Sequence, residues 1–210
     1  MENTGSNKFS GLTLKRLEAL TDGIFAIAMT ILVLAIDIPE SSTEMTGATL
    51  HNAILSQSNQ LIAYVTSFLL LALFWTINHR QSGCLIKTNN IHIWINILML
   101  IFICLVPYTT SLKSDFINDW MANLYFNINM LIIALLYFFN WNYATKKQRL
   151  TVDKLPASTV KRGKVASILF ILIGIVACSA SFIIPENSSY VYFLIPVLKI
   201  LEGKFEKRKV

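Results

Sequence analysis

The sequence predicts an all-α integral membrane protein with six transmembrane helices per subunit, on three observations. Hydrophobic residues make up 54% of the chain and charged residues only 14%, far from the averages of soluble domains. The apolar residues are gathered into long runs, several of them long enough to cross a bilayer. The Lys and Arg residues between those runs fall almost entirely on one side of a six-span arrangement. The 210-residue length alone would have suggested one or two globular domains.

The first run, RLEALTDGIFAIAMTILVLAIDIP from Arg16 to Pro39, carries fourteen uncharged residues from Gly23 to Ile36 and closes on Asp37 and Pro39. Extended forward, it predicts a span over 12–37. Asp22 lies inside it and no small-x-small cleavage site follows, so it is expected to stay in the mature protein as a signal anchor. Further spans are predicted over 54–78, 91–112, 120–143 and 164–184, each with at least fourteen residues free of formal charge. The sixth, 188–203, has a short apolar core from Tyr190 to Leu198, holds Pro196 and ends at Lys199. By hydropathy alone it is equally an interfacial helix.

Charge decides between those readings. With six spans and an inside N-terminus, seventeen of the eighteen Lys and Arg residues are cytoplasmic and only Lys113 is outside. If the sixth segment did not cross, the five C-terminal cations would lie outside. The expected organisation is therefore a disordered cytoplasmic N-terminus (1–11), a membrane domain (12–203) and a basic cytoplasmic tail (204–210), with both termini in the cytoplasm of a multi-pass cell-membrane protein. The pI near 9.3 then needs no nucleic acid. The loop from Thr145 to Gly163 is expected to lie against anionic headgroups. Six acidic residues face the outer side against that single lysine, either concentrating cations at an outer mouth or reflecting the easier export of acidic residues.

Arg16, Leu20, Thr21 and Asp22 also carry a resemblance. R-x-x-x-F-S-D followed by an apolar helix containing Ile and Thr is the signature of the transmembrane protein 175 family, the endosomal and lysosomal potassium channels and their prokaryotic relatives. This chain is similar at Arg16, Asp22, Ile27 and Thr30, with Leu20 and Thr21 in place of Phe-Ser, and again at FWTINHR from Phe74 to Arg80. Thr21 keeps the hydroxyl of Ser, whereas Leu20 loses the ring. The resemblance implies a homotetramer around a central pore lined by the first helix, with the Ile position as a hydrophobic constriction and the Thr one turn later shaping selectivity for potassium.

Helical phase agrees with that assignment. At about 100° per residue, Ile27, Thr30, Ile31, Leu34 and Ile38 share a face with Leu20 and Gly23, and Asp22 lies roughly 140° from Ile27. Ala19, Gly23 and Ala26 would let such helices approach closely. Ionisable groups at membrane depth are costly, so Asp22 calls for a partner; Trp75, Asn78 and His79 at the end of the second helix stand at matching depth. The network is expected to comprise Arg16, Thr21, Asp22, Trp75, Asn78 and His79, with Arg16 turning to the second helix or a neighbouring subunit. Asn123, Asn127, Asn129, Ser179 and Ser181 are expected to act as interhelical glue.

No enzyme constellation is present: the sequence has no G-x-S-x-G, H-E-x-x-H or phosphate-binding glycine loop, and its three His residues lack metal-ligand spacing. There is no TVGYG filter. Cys84, Cys104 and Cys178 are expected to be free thiols, and no cofactor is implied. Two other readings stand beside the channel: a proton-coupled secondary cation transporter using Asp22, and a non-transporting membrane scaffold. Against the transporter, no inverted repeat and no paired broken helices are visible.

Overall fold

The computed structural model describes residues 13–37, 47–153 and 155–194. The expectations for 1–11 and 204–210, and most of the sixth span, lie outside the described residues. Within them stand seven α-helices: α1 (Leu14–Ile31), α2 (Gly47–Ser56), α3 (Ser58–Ser82), α4 (Asn90–Cys104), α5 (Val106–Asp115), α6 (Trp120–Thr145) and α7 (Ala157–Ile183). Five stretches are long and apolar enough to cross a membrane: Leu14–Ala35, Ser58–Ser82, Asn90–Asp115, Trp120–Gln148 and Ala157–Ile183. Of the sixth predicted span, the described part belongs to a 3-10 run from Pro185 to Phe193.

Local chemistry sets the ends. The Thr13 side chain accepts from the Arg16 amide to cap α1, and Asp119 accepts from the Met121 and Ala122 amides to cap α6. The apolar run predicted as a single helix over 91–112 breaks at Leu105, because Pro107 stands in the first turn of α5, where it has no amide to donate and its ring clashes with the preceding turn. Asn129 of α6 donates to the Phe102 carbonyl beside the break. The second predicted span starts late for a comparable reason. Gln57 leaves helical geometry between α2 and α3, and its side chain donates to the Asp37 carbonyl at 2.6 Å.

The longest correction concerns α7, which begins at Ala157, behind Pro156, and not at 164. Lys161 and Arg162 therefore sit on its first turns instead of in a loop. What remains of the loop is tied down: Ile86 donates to the Leu150 carbonyl and Val152 to the Cys84 carbonyl, either side of an antiparallel bridge between Leu85 and Thr151. Gly163 explains how α7 closes on α6. A Cβ there would overlap the indole of Trp141, whose Nε1 donates to the Val160 carbonyl. Gly163→Ala should therefore destabilise the subunit by about 1–3 kcal/mol, read as a lower thermal midpoint in detergent.

α6 packs against α4, α5 and α7, and the core sits around it. Phe74, Tyr137 and Phe170 stack at its centre, and the Tyr137 hydroxyl donates to the Phe74 carbonyl at 2.9 Å. Fully buried Asn127 donates to the Ala177 carbonyl and the Ser181 and Ser188 hydroxyls, joining α6, α7 and the 3-10 run. Asn129 and Ser181 bridge elements in the same way, each such bond contributing roughly 0.6 kcal/mol in a membrane. Asn123 and Ser179 do not: Asn123 closes the turn before α6 on the Ile117 and Asp119 carbonyls, and Ser179 bonds back to Ile175.

Charge divides the two ends of the bundle. Asp37, Asp115, Asp119 and Glu186 are exposed at one end, and Lys113, the single described Lys or Arg there, is buried with its Nζ 4.8 Å from the Phe126 ring centre. The surface at that end is thus more acidic than the formal count suggests.

Candidate functional site

α1 has two unlike faces. Leu17, Thr21, Phe25 and Ala28, continued by Leu32 and Ala35, are buried, and α1 packs on α3, α4 and α5. Leu20, Gly23, Ile27, Thr30, Ile31 and Leu34 form a stripe exposed along the subunit, Ile27 at 58% and Leu34 at 76%. A Cβ at Gly23 would meet nothing within 4 Å, so among the described residues the small residue serves no packing inside the subunit. Beyond Ile31 the helix tightens to 3-10 geometry over Leu32–Ala35, in which residues three apart eclipse; Leu34 therefore stays over Ile31.

Thr30 is the one hydroxyl on this stripe. Its Oγ1 donates to the Ile27 carbonyl at 2.8 Å, which commits the proton and leaves the oxygen lone pairs facing outward. Such an oxygen can only accept, and so suits a cation.

At the other end of the helix, Trp75 Nε1 of α3 donates to Asp22 Oδ1 at 2.8 Å, and the Trp75 ring stacks on His79 at 5.7 Å. Of the remaining members of the expected network, Arg16, Thr21 and Asn78 are not joined to this pair. Thr21 is buried and spends its hydroxyl on the Leu17 carbonyl, Asn78 is buried without a bond to Asp22, and His79 contributes its ring face. Arg16 is exposed, and among the described residues no hydrogen bond or ion pair engages its guanidinium, so it does not turn to the second helix within the subunit.

A second clamp was missed from sequence. The Asp37 carboxylate accepts from Gln60 Nε2 at 2.8 Å, its amide donates to Gln60 Oε1, and its carbonyl accepts from Gln57. By charge alone Asp37 counts only as one of the six acidic residues expected on the outer side. The signal available was the pair Gln57 and Gln60, three apart at the start of an apolar helix, where one helical face presents two amides. Between the Asp22 and Asp37 contacts, α1 is fastened to α3 at both ends with its stripe turned away.

Five bilayer-length apolar helices, packed through buried amides and aromatic rings, define a multi-pass integral membrane protein. The sequence profile described as endosomal/lysosomal potassium channel TMEM175 matches residues 16–107. A potassium channel of Chamaesiphon minutus is 30% identical over 142 residues, 66% of this chain and 70% of that protein. One from a Chryseobacterium species is 27% identical over 195 residues, covering 92% of this chain and 95% of that protein. The crystal structure of a lysosomal potassium-selective channel TMEM175 homolog from Chamaesiphon minutus superposes with a TM-score of 0.78 at 26% identity, over 90% of this chain and 97% of that one. The chain belongs to the TMEM175 family.

Proposed function

We propose that this protein is a potassium-permeable cation channel, a homotetramer whose four α1 stripes meet around the pore. The observation that carries the reading is the α1 stripe, left uncovered by the described residues, with one acceptor oxygen at Thr30 directly beyond the apolar Ile27, in a chain whose relatives are named potassium channels. One subunit supplies a single such helix, so closed cyclic assembly is required to enclose a path. Ile27, Ile31 and Leu34 form the dry constriction, Thr30 holds a transient potassium ion, and conduction is passive, without a TVGYG filter. Asp22 and Trp75 fix the end of α1, and Arg16 reaches a neighbouring subunit. Reconstitution into potassium-loaded liposomes tests this directly. Fast electrogenic efflux is expected; saturable, pH-coupled uptake would instead favour a transporter acting through Asp22, and silence a scaffold.

The proposed location is the cell membrane with both termini in the cytoplasm. Cys84, between α3 and α4, and a cysteine introduced at Ser41 should then label from opposite faces in intact cells. Cys104 and Cys178 lie within spans, beyond a water-borne reagent. Partial burial pushes the Cys84 thiol above its usual value, so the reactive thiolate is scarce and its labelling should quicken as pH rises. Labelling of both positions by an impermeant maleimide from one side would defeat the six-span topology.

A further inference from the structure

Where α4, α6 and α7 meet, near the end of the bundle that holds Trp75, the surface opens into a groove of about 580 Å³ lined by Ile95, Phe139, Asn142, Tyr143, Lys146 and Lys164. We propose that this groove binds one anionic phospholipid, with its phosphodiester on the two lysines and the start of its acyl chains on Phe139 and Ile95. The inference rests on the membrane reading of the helices and not on the channel reading.

The chemistry of the lining is graded along the helix axes. Phe139 is 55% exposed and stands one helical turn below Tyr143 on α6, about 6 Å deeper at 1.5 Å per residue. Lys146 follows the last turn of α6, and Lys164 projects from the opening turns of α7. Apolar side chains thus occupy the membrane-ward part of the groove and ammonium groups the water-ward part, the division that a glycerophospholipid itself shows between acyl chains and phosphate. The volume falls in the range of small-molecule sites, enough for a headgroup and its first methylenes.

Charge complementarity selects the anionic class. Neither Lys146 nor Lys164 has an ion-pair partner among the described residues, and the Arg149 guanidinium stacks over the Tyr143 ring at 4.3 Å, adding a third cation beside the groove. Tyr143 is poised as a donor. Its hydroxyl oxygen already accepts from Asn89 Nδ2 at 2.9 Å, so its own proton is left to give. The Asn142 side chain, on the groove wall, adds amide donors. A zwitterionic lipid would bring a quaternary ammonium to the same cations, whereas phosphatidylglycerol brings only the negative charge.

Native mass spectrometry of the purified full-length protein, titrated with phosphatidylglycerol or phosphatidylcholine, tests the assignment. One phosphatidylglycerol should be retained per chain in preference to phosphatidylcholine. Lys146→Gln with Lys164→Gln should weaken retention about 30-fold, from the usual contribution of two interfacial cations. Lys147→Gln with Lys161→Gln, which changes exposed lysines outside the groove lining, should leave it unchanged. Phe139→Ala should weaken retention without altering the preference for negative charge, and the pair Lys146→Arg and Lys164→Arg should preserve it. Equal loss in the two double glutamine variants would mean diffuse surface attraction and overturn the proposal. So would equal retention of both lipids, or displacement of the bound lipid by inorganic phosphate. Because the readout is lipid retention, it is independent of whether the protein conducts.

Discussion

Ile27→Asn should raise single-channel conductance several-fold, while Thr30→Val should erode the preference for potassium over sodium more than it lowers total flux. The two effects have different physical origins. Ile27 is 58% exposed on a face of α1 that none of the described residues of its own subunit covers. Four copies around an axis would make an apolar ring that water leaves, so the barrier to an ion is loss of hydration and not charge. An amide at that position wets the ring. Thr30 lies one turn on, with its proton donated to the Ile27 carbonyl and its lone pairs free, and valine keeps its shape while removing the oxygen. Cation preference should survive Ile27→Asn, because the acidic end of the bundle, where Lys113 is buried, still attracts cations. Recordings under bi-ionic conditions decide the matter. Unchanged conductance in Ile27→Asn together with an unchanged reversal potential in Thr30→Val would mean that α1 faces lipid and lines no pore.

What could be read in the sequence was whatever a single period fixes. The split of α1 into a buried line through Leu17, Thr21 and Phe25 and an exposed one through Gly23, Ile27 and Leu34 follows from a 3.6-residue repeat acting over a long apolar run. It survives even the 3-10 turn, since three residues there return nearly to the same face. Breaks were harder to see. Hydropathy is blind to a helix that stops and restarts inside an apolar run, as at Leu105, where only Pro107 signals the event. It is equally blind to a helix that extends beyond the membrane, and so Lys161 and Arg162 hid the first turns of α7. The Asp37 clamp depends on side chains twenty and more residues away, and the burial of Lys113 on a ring from another helix. The Gln57 and Gln60 pair hints at the first contact without naming its partner, and the second has no local sequence signature.

The Asp22–Trp75 contact separates a structural from a chemical role, through two substitutions that disturb it differently. Trp75→Phe deletes the Nε1 donor but keeps a ring to stack on His79, stranding the carboxylate at the end of α1 without its one described hydrogen-bond partner. Loss of a bond to a charged acceptor costs about 1.5–3 kcal/mol. With α1 fastened to α3 only at its Asp37 end, the stripe should lose its fixed position, and the proposed tetramer should dissociate at lower detergent or temperature. Asp22→Asn removes the charge and retains a carbonyl oxygen for Trp75 to donate to, so its effect on assembly should be the smaller of the two. A proton relay inverts that order. In a relay, Asp22→Asn would abolish pH dependence in an intact tetramer, and Trp75→Phe would leave pH dependence in place. Size-exclusion profiles of both variants, paired with flux measured across a pH series, distinguish these outcomes. A stable Trp75→Phe tetramer with normal flux would remove the hydrogen bond from any part in holding α1.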